Sequence, residues 1–162
     1  MSFSKICSEW WHSLVDPAGE KFRKVIEILR ERYVEEMQHA ERFKQYAQRM
    51  HYPQYQGKLL QLAMEKEQRA KWIAAKLVAL GAKLPGVPEP SPTDENSWQS
   101  LKLALDDENR SADHITEQLR RLGLDHPDIT EFLQEIVQEQ RKHRDEIREM
   151  LMRSDPFALS LA

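Results

Sequence analysis

Apolar residues recur along this chain in steps of three and four. In four segments the recurrence is long enough to predict a helix with one inward face. The first stripe reads Phe22, Leu29, Tyr33, Glu36, Ala40, Phe43, Ala47, Met50. The second reads Leu59, Leu62, Lys66, Ala70, Ile73, Leu77, Leu80. The third reads Trp98, Leu101, Leu105, Glu108, Ala112, Ile115, Leu119, Leu122, and the fourth Ile129, Leu133, Ile136, Gln140, His143, Ile147, Leu151. Each stripe carries a polar residue near its middle. In an antiparallel bundle, mid-helix positions come to one level. The pattern therefore predicts that Glu36, Lys66, Glu108, Gln140 and His143 form one polar cluster across an apolar core. Burying such groups is costly unless they pair or hold a metal.

Turn residues delimit the helices. The first long helix is expected from about Ala18 to His51, before Pro53, and the second ends near Leu80 with Gly81 after it. The third is expected from Asp94–Trp98 to Gly123, and the fourth has Pro127 in its first turn and ends near Arg153. Residues 1–17, with Phe3, Ile6, Trp10, Trp11 and Leu14, predict a short amphipathic helix ending near Asp16-Pro17. It would cap the bundle or pack on a neighbouring subunit. The expected organisation is thus an N-terminal extension over 1–17, a bundle over 18–153 and a tail over 154–162. Two short turns make two helix hairpins. Between them, the proline-rich stretch from Ala82 to Ser97 can reach roughly 50 Å at about 3.3 Å per residue, the length of a bundle. The fold class is all-α: an antiparallel four-helix bundle with a long crossover between its second and third helices.

Composition narrows the function. The chain is 40% hydrophobic and 31% charged, with a formal net charge of −3. Its basic residues are interleaved with acidic ones, which argues against nucleic acid as a partner. No stretch is long and apolar enough to predict a membrane span. The N-terminus lacks the apolar run of a signal peptide, and the single Cys7 allows no internal disulfide. A cytoplasmic location is expected. No glycine-rich phosphate loop, hydrolase nucleophile motif or paired-cysteine motif is present.

The run Glu36-x-x-His39-x-x-x-Phe43-x-x-x-Ala47 resembles the first-helix pattern of the ferritin-like superfamily, especially its rubrerythrin and bacterioferritin branches. Leu62 to Ala70, Leu105 to Glu108 and Ile136 to His143 resemble the second, third and fourth helices. The resemblance covers roughly residues 20–152. It implies a di-iron site in which two helices each give one Glu and the other two each give Glu-x-x-His. Glu36, Glu108 and His143 match that set. Lys66 stands where a bridging Glu is implied, Arg69 where a His is implied, and Gln140 where the second bridging Glu is implied. Protonated Lys and Arg have no lone pair for a metal.

The expected function is therefore that of a diverged member without a working di-iron centre or other cofactor. A buried cluster of Glu36, Lys66, Arg69, Glu108, Gln140 and His143 would replace the site, and the role would be structural or partner-binding. The alternative is an iron- or manganese-dependent oxidoreductase or iron-handling protein. It would use Glu36, Glu108 and His143 with Glu67 or Gln140, the former if the second helix is turned by one residue. A weaker third reading has Lys66 or Arg69 binding a small acid. A homo-oligomer is expected, with a dimer favoured.

Overall fold

Proline and glycine fix half of the helix ends. The computed structural model describes the backbone of residues 3–156 and the side chains of residues 22–156. Helix α1 spans Phe3–Gln48, α2 Pro53–Ala79, α3 Ser97–Leu122 and α4 Pro127–Met152. Pro53 and Pro127 sit in the first turns of α2 and α4, where a missing N–H costs nothing. At the start of α3, Asn96 accepts from the Gln99 N–H while the Gln99 side chain accepts from the Asn96 N–H, a reciprocal cap. The expected break near Asp16-Pro17 is not seen, because α1 is one element from Phe3. The packing expected of Trp10 and Trp11 lies outside the described side chains.

Cross-helix pairs set the topology. Lys58, Glu65, Arg69 and Lys76 of α2 pair in turn with Glu146, His143, Glu139 and Asp128 of α4, so these helices run antiparallel. The start of α3 lies by the end of α1, with Ser97 Oγ accepting from the His51 N–H at 2.8 Å. The end of α3 lies by Glu31, which Arg121 reaches at 2.7 Å. Residues 82–96 are the non-helical crossover. The crossover runs beside α1 in the same direction: Arg30 donates to the Lys83 carbonyl, Gln38 to the Pro88 carbonyl, and Arg49 pairs with Asp94. The result is the up-down, crossover, up-down bundle expected from the sequence.

The core has three layers along its length. One end is apolar, built on Phe43, Met50, Leu59, Leu62, Leu101 and Ile147. The other is built on Ile28, Leu29, Ile73, Leu77, Ile115 and Leu133. Between them lies a belt of buried polar side chains. Five expected core positions are corrected by the structure. Phe22 is 42% exposed. On α3, Ala104, Ser111 and Gln118 are buried where Leu105, Ala112 and Leu119 were expected to be, a shift of one residue. On α4, Met150 takes the place expected of Leu151. The α3 face was misplaced because its buried side is largely polar, so hydrophobicity does not mark it.

Gly123 ends α3 at φ 68, ψ −150, a region closed to residues with a Cβ. A Cβ added there would meet nothing within 4 Å, so any cost comes from the backbone alone. Gly123→Ala should therefore destabilise the bundle by about 1–3 kcal/mol in urea denaturation. A change within about 0.3 kcal/mol would mean that the turn relaxes without strain.

Candidate functional site

The polar belt is built by all four helices at one height. α2 supplies Lys66, whose ammonium sits 5.0 Å from the centroid of the Phe43 ring. Lys66 and Glu108 of α3 are both 0% exposed, and their side chains form a direct ion pair through Nζ and Oε1. Burial alone would raise the Glu108 carboxyl. The Lys66 ammonium and the His143 ring together outweigh that and hold it well below the usual carboxylate range. On the other side of Glu108, His143 of α4 places Nδ1 3.8 Å from Oε2, beyond hydrogen-bond distance. Neither of these two facing atoms has a hydrogen-bond partner among the described residues. The second ring nitrogen, Nε2, lies 2.8 Å from Glu65 Oε2 at the rim of α2.

A second network surrounds Glu36. Arg69 Nη1 lies 3.3 Å from Glu36 Oε2, and its Nε donates to Glu139 Oε2 at 2.9 Å. Arg32, fully buried one turn before Glu36, lies 3.7 Å from Glu36 Oε1. It also donates to Ser111 Oγ at 3.2 Å and pairs with Glu35. Gln140 donates to the same Ser111 hydroxyl at 2.7 Å. Thus the side chains run in sequence from Glu139 through Arg69, Glu36, Arg32 and Ser111 to Gln140, crossing all four helices. His39 is buried nearby. Burial, and then the Lys66 charge, lower its imidazole below the ordinary value, which keeps it neutral at pH 7.

Toward the Phe43 end, Asp107 anchors a third group. It accepts from the Tyr46 hydroxyl at 2.9 Å and from Arg42 at 2.9 Å, and it also pairs with Arg110. Burial and the Asp107 charge push the Tyr46 hydroxyl up, so it stays a donor.

Of the residues singled out in the sequence, Glu36, Lys66, Arg69, Glu108, Gln140 and His143 are all buried. They divide into the Lys66–Glu108–His143 group and the Glu36–Arg69 group with Gln140. Glu67 is placed elsewhere. It is partly exposed and ion-paired with Lys44 of α1, while Glu65 is the α2 carboxylate that meets His143. The sequence reading missed Arg32, Asp107 and Ser111. Arg32 lies three residues after Leu29 and four before Glu36, so it fits the stripe as well as Tyr33 does. Its charge hid it. Among the described residues, no three His, Cys, Asp or Glu side chains converge as a group that could hold a metal ion.

The family profile described as ferritin-like domain matches residues 44–155. No curated protein sequence is significantly similar to the chain. Among solved structures, a ferritin-like diiron-carboxylate protein from Bacillus anthracis str. Ames is similar at a TM-score of 0.73 and 16% identity, over 81% of this chain and 97% of that one. An open-pore ferritin from the hyperthermophilic archaeon Archaeoglobus fulgidus is similar at a TM-score of 0.66 and 17% identity, over 80% of this chain and 82% of that one. At such identities the likeness is one of fold.

Removing one member of a buried pair strands the other. Lys66→Met should destabilise the protein by about 3–5 kcal/mol at pH 7, and adding Glu108→Leu should recover part of that loss. The depressed Glu108 pKa gives a pH signature. Its stabilising contribution is complete above the unfolded-state value of about 4.3 and is lost as pH falls toward the folded-state value. The difference in stability between the parent and the Lys66→Met variant should therefore shrink below about pH 4. Equal urea midpoints for parent and Lys66→Met at neutral pH would show that the ammonium is solvated.

Proposed function

The chain belongs to the ferritin-like domain family, and we propose that it is a diverged, non-enzymatic member in which an ionic belt takes the place of the di-iron centre. Its role is then to present the surfaces of a stable bundle to a partner. One observation carries this reading: a buried lysine ammonium lies against Glu108 at mid-bundle, where the resemblance implies a metal. Lys66 supplies there the positive charge that a metal otherwise supplies.

The donor chemistry supports the same conclusion. A di-iron centre of this kind draws on four carboxylates and two imidazoles. Here the two buried carboxylates at matching positions are each engaged by cations, Glu108 by Lys66 and Glu36 by Arg69 and Arg32. At the matching positions, Glu108 Oε2, His143 Nδ1 and Gln140 Oε1 lack partners among the described residues. Two oxygens and one nitrogen beside an ammonium do not fit two dications, which those fixed positive charges would repel in a poorly solvated interior. Gln140 donates to Ser111 through Nε2, and its Oε1 is a neutral amide oxygen, a weaker ligand than a carboxylate. Glu67, the further ligand of an iron or manganese reading, is engaged with Lys44.

Protein purified without chelator should hold far less than one iron or manganese per chain by elemental analysis. Two metals per chain would overturn the proposal. The converse test rebuilds the site. Lys66→Glu, Arg69→His and Gln140→Glu together restore the implied ligand types and crowd four carboxylates into one level of the core, which should destabilise the metal-free variant. Ferrous iron or cobalt should then raise the Tm of the triple variant, because the metal binds only the folded state. The parent should show no rise. A folded triple variant that no divalent metal stabilises would mean that these positions do not converge as ligands.

A further inference from the structure

The crossover walls a groove on the outside of α1. Positions 37, 38, 44 and 45 lie three or four residues to either side of Glu41, so all five share one face of that helix. The crossover runs along this face, tied to it where Gln38 donates to the Pro88 carbonyl. Between the two lies a groove of about 500 Å³, lined also by Glu67 of α2. Small-molecule sites have volumes of roughly 300–1,000 Å³. None of the lining side chains belongs to the polar belt, so the groove stands apart from the reading of the metal centre.

The chemistry of this groove is one-sided. Pro88, Pro90 and Pro92 bring carbonyl oxygens to it and no N–H. Among the described residues, the backbone over 83–95 makes no hydrogen bond to other backbone, as expected of an extended proline-rich segment. Gln45 Oε1, a further acceptor, is buried without a hydrogen-bond partner among the described residues. Three carboxylates, Glu41, Glu67 and Glu89, share the groove with one cation, Lys44. Lys44 pairs directly with Glu67 and lies 3.8 Å from Glu41. The Glu67 hydrogen bond raises its amine above the ordinary value, so it stays charged. Glu89 has no partner among the described residues. Three carboxylates less one ammonium leave two negative charges in excess. Met37, Val87 and the proline rings supply hydrocarbon beside them.

We propose that the groove binds a linear aliphatic diamine, one ammonium held by Glu41 and Glu89 and the other by Gln45 Oε1 and Glu67. Pro88 is level with Gln38. At about 3.1 Å per residue for the crossover and about 1.5 Å for the helix, Glu89 comes level with Ala40, beside Glu41. Glu41 and Gln45 are one turn apart, about 6 Å along the axis. A four-carbon chain holds two ammonium groups at a similar separation. Each ammonium brings three N–H donors to a groove that is rich in acceptors. The methylenes between them cover Met37 and the prolines, as a lysine stem covers apolar surface. Two charges neutralise the excess, whereas a monoamine leaves one uncompensated. A compact dication is a poor occupant, since it keeps oxygen ligands and water around it and gains nothing from hydrocarbon.

Isothermal titration calorimetry of the full chain with 1,4-diaminobutane, at fixed ionic strength, tests the proposal. Binding should saturate at one diamine per chain. Glu89→Gln should weaken it about tenfold, the loss expected of one charge-assisted contact. Gln45→Leu should weaken it without any change of charge. Lys44→Met should tighten it, because it removes the ammonium that competes for Glu41 and Glu67. Glu135→Gln, on α4 and outside the groove, should leave it unchanged. These side chains lie outside the core, so circular dichroism and Tm should stay near the parent's and a lost site is not a lost fold. No saturation at millimolar diamine overturns the proposal. So does equal binding of 1-aminobutane or magnesium, which would make the groove a general attractor of cations. A diamine affinity indifferent to both Glu89→Gln and Lys44→Met places the ligand elsewhere and overturns it as well.

Discussion

A single buried ammonium sets the terms for the rest of this bundle. Lys66 cannot leave the interior without dragging a four-carbon stem past Phe43, and it cannot remain there without an anion. Glu108 from the neighbouring hairpin provides one. The contact therefore joins α2 to α3, helices that are adjacent in sequence only through the long crossover. Glu36 and Arg69, Arg32 and Ser111, and Gln140 and Ser111 repeat the arrangement at the same height. Each helix contributes a group whose partner lies on another helix.

Such a belt is a poor way to gain stability. Replacing a buried ion pair by apolar residues of similar volume is often neutral or favourable. What it does supply is register. The apolar layers at either end, one around Phe43 and Met50 and one around Ile28 and Leu77, consist of interchangeable hydrocarbon and would tolerate a helix sliding by a turn. The belt would not, because a slide strands Arg32, Lys66 or Glu108 against hydrocarbon. The alignment is thus held by charged side chains of the chain itself.

The sequence showed the architecture clearly, because its signals are local. Prolines 53 and 127 start α2 and α4, glycines 81 and 123 follow α2 and α3, and the proline-rich stretch could not be helical. The second and fourth stripes were legible because their charged or amide positions interrupt otherwise clean apolar runs, which makes Lys66 and Gln140 conspicuous. α3 was harder. Its inward face holds Ser97, Ser100, Asp107, Glu108, Ser111 and Gln118, so periodicity of hydrophobic residues followed the half-buried flank instead. Arg32 was passed over for a related reason: a charge on a stripe is read as an error in phase until its partners are seen. The partners come from other helices, and no spacing within one helix reveals them. The same limit hid the role of Glu65, which becomes a neighbour of His143 only once α2 and α4 are laid antiparallel.

The crossover has a consequence for how the chain finds this arrangement. Each hairpin closes through a turn of a few residues, so each is a local unit. The hairpins then meet as two bodies on one tether. A proline-rich segment of residues 82–96 is stiff and, at about 3.1 Å per residue, spans roughly the length of a 26-residue helix at about 1.5 Å per residue. A tether whose reach matches the distance it must cover gives the highest effective concentration of one end for the other. Hairpin exchange between two chains competes against that local concentration. The stiffness of the crossover thus acts as a safeguard on connectivity: each first hairpin is completed by the second hairpin of its own chain.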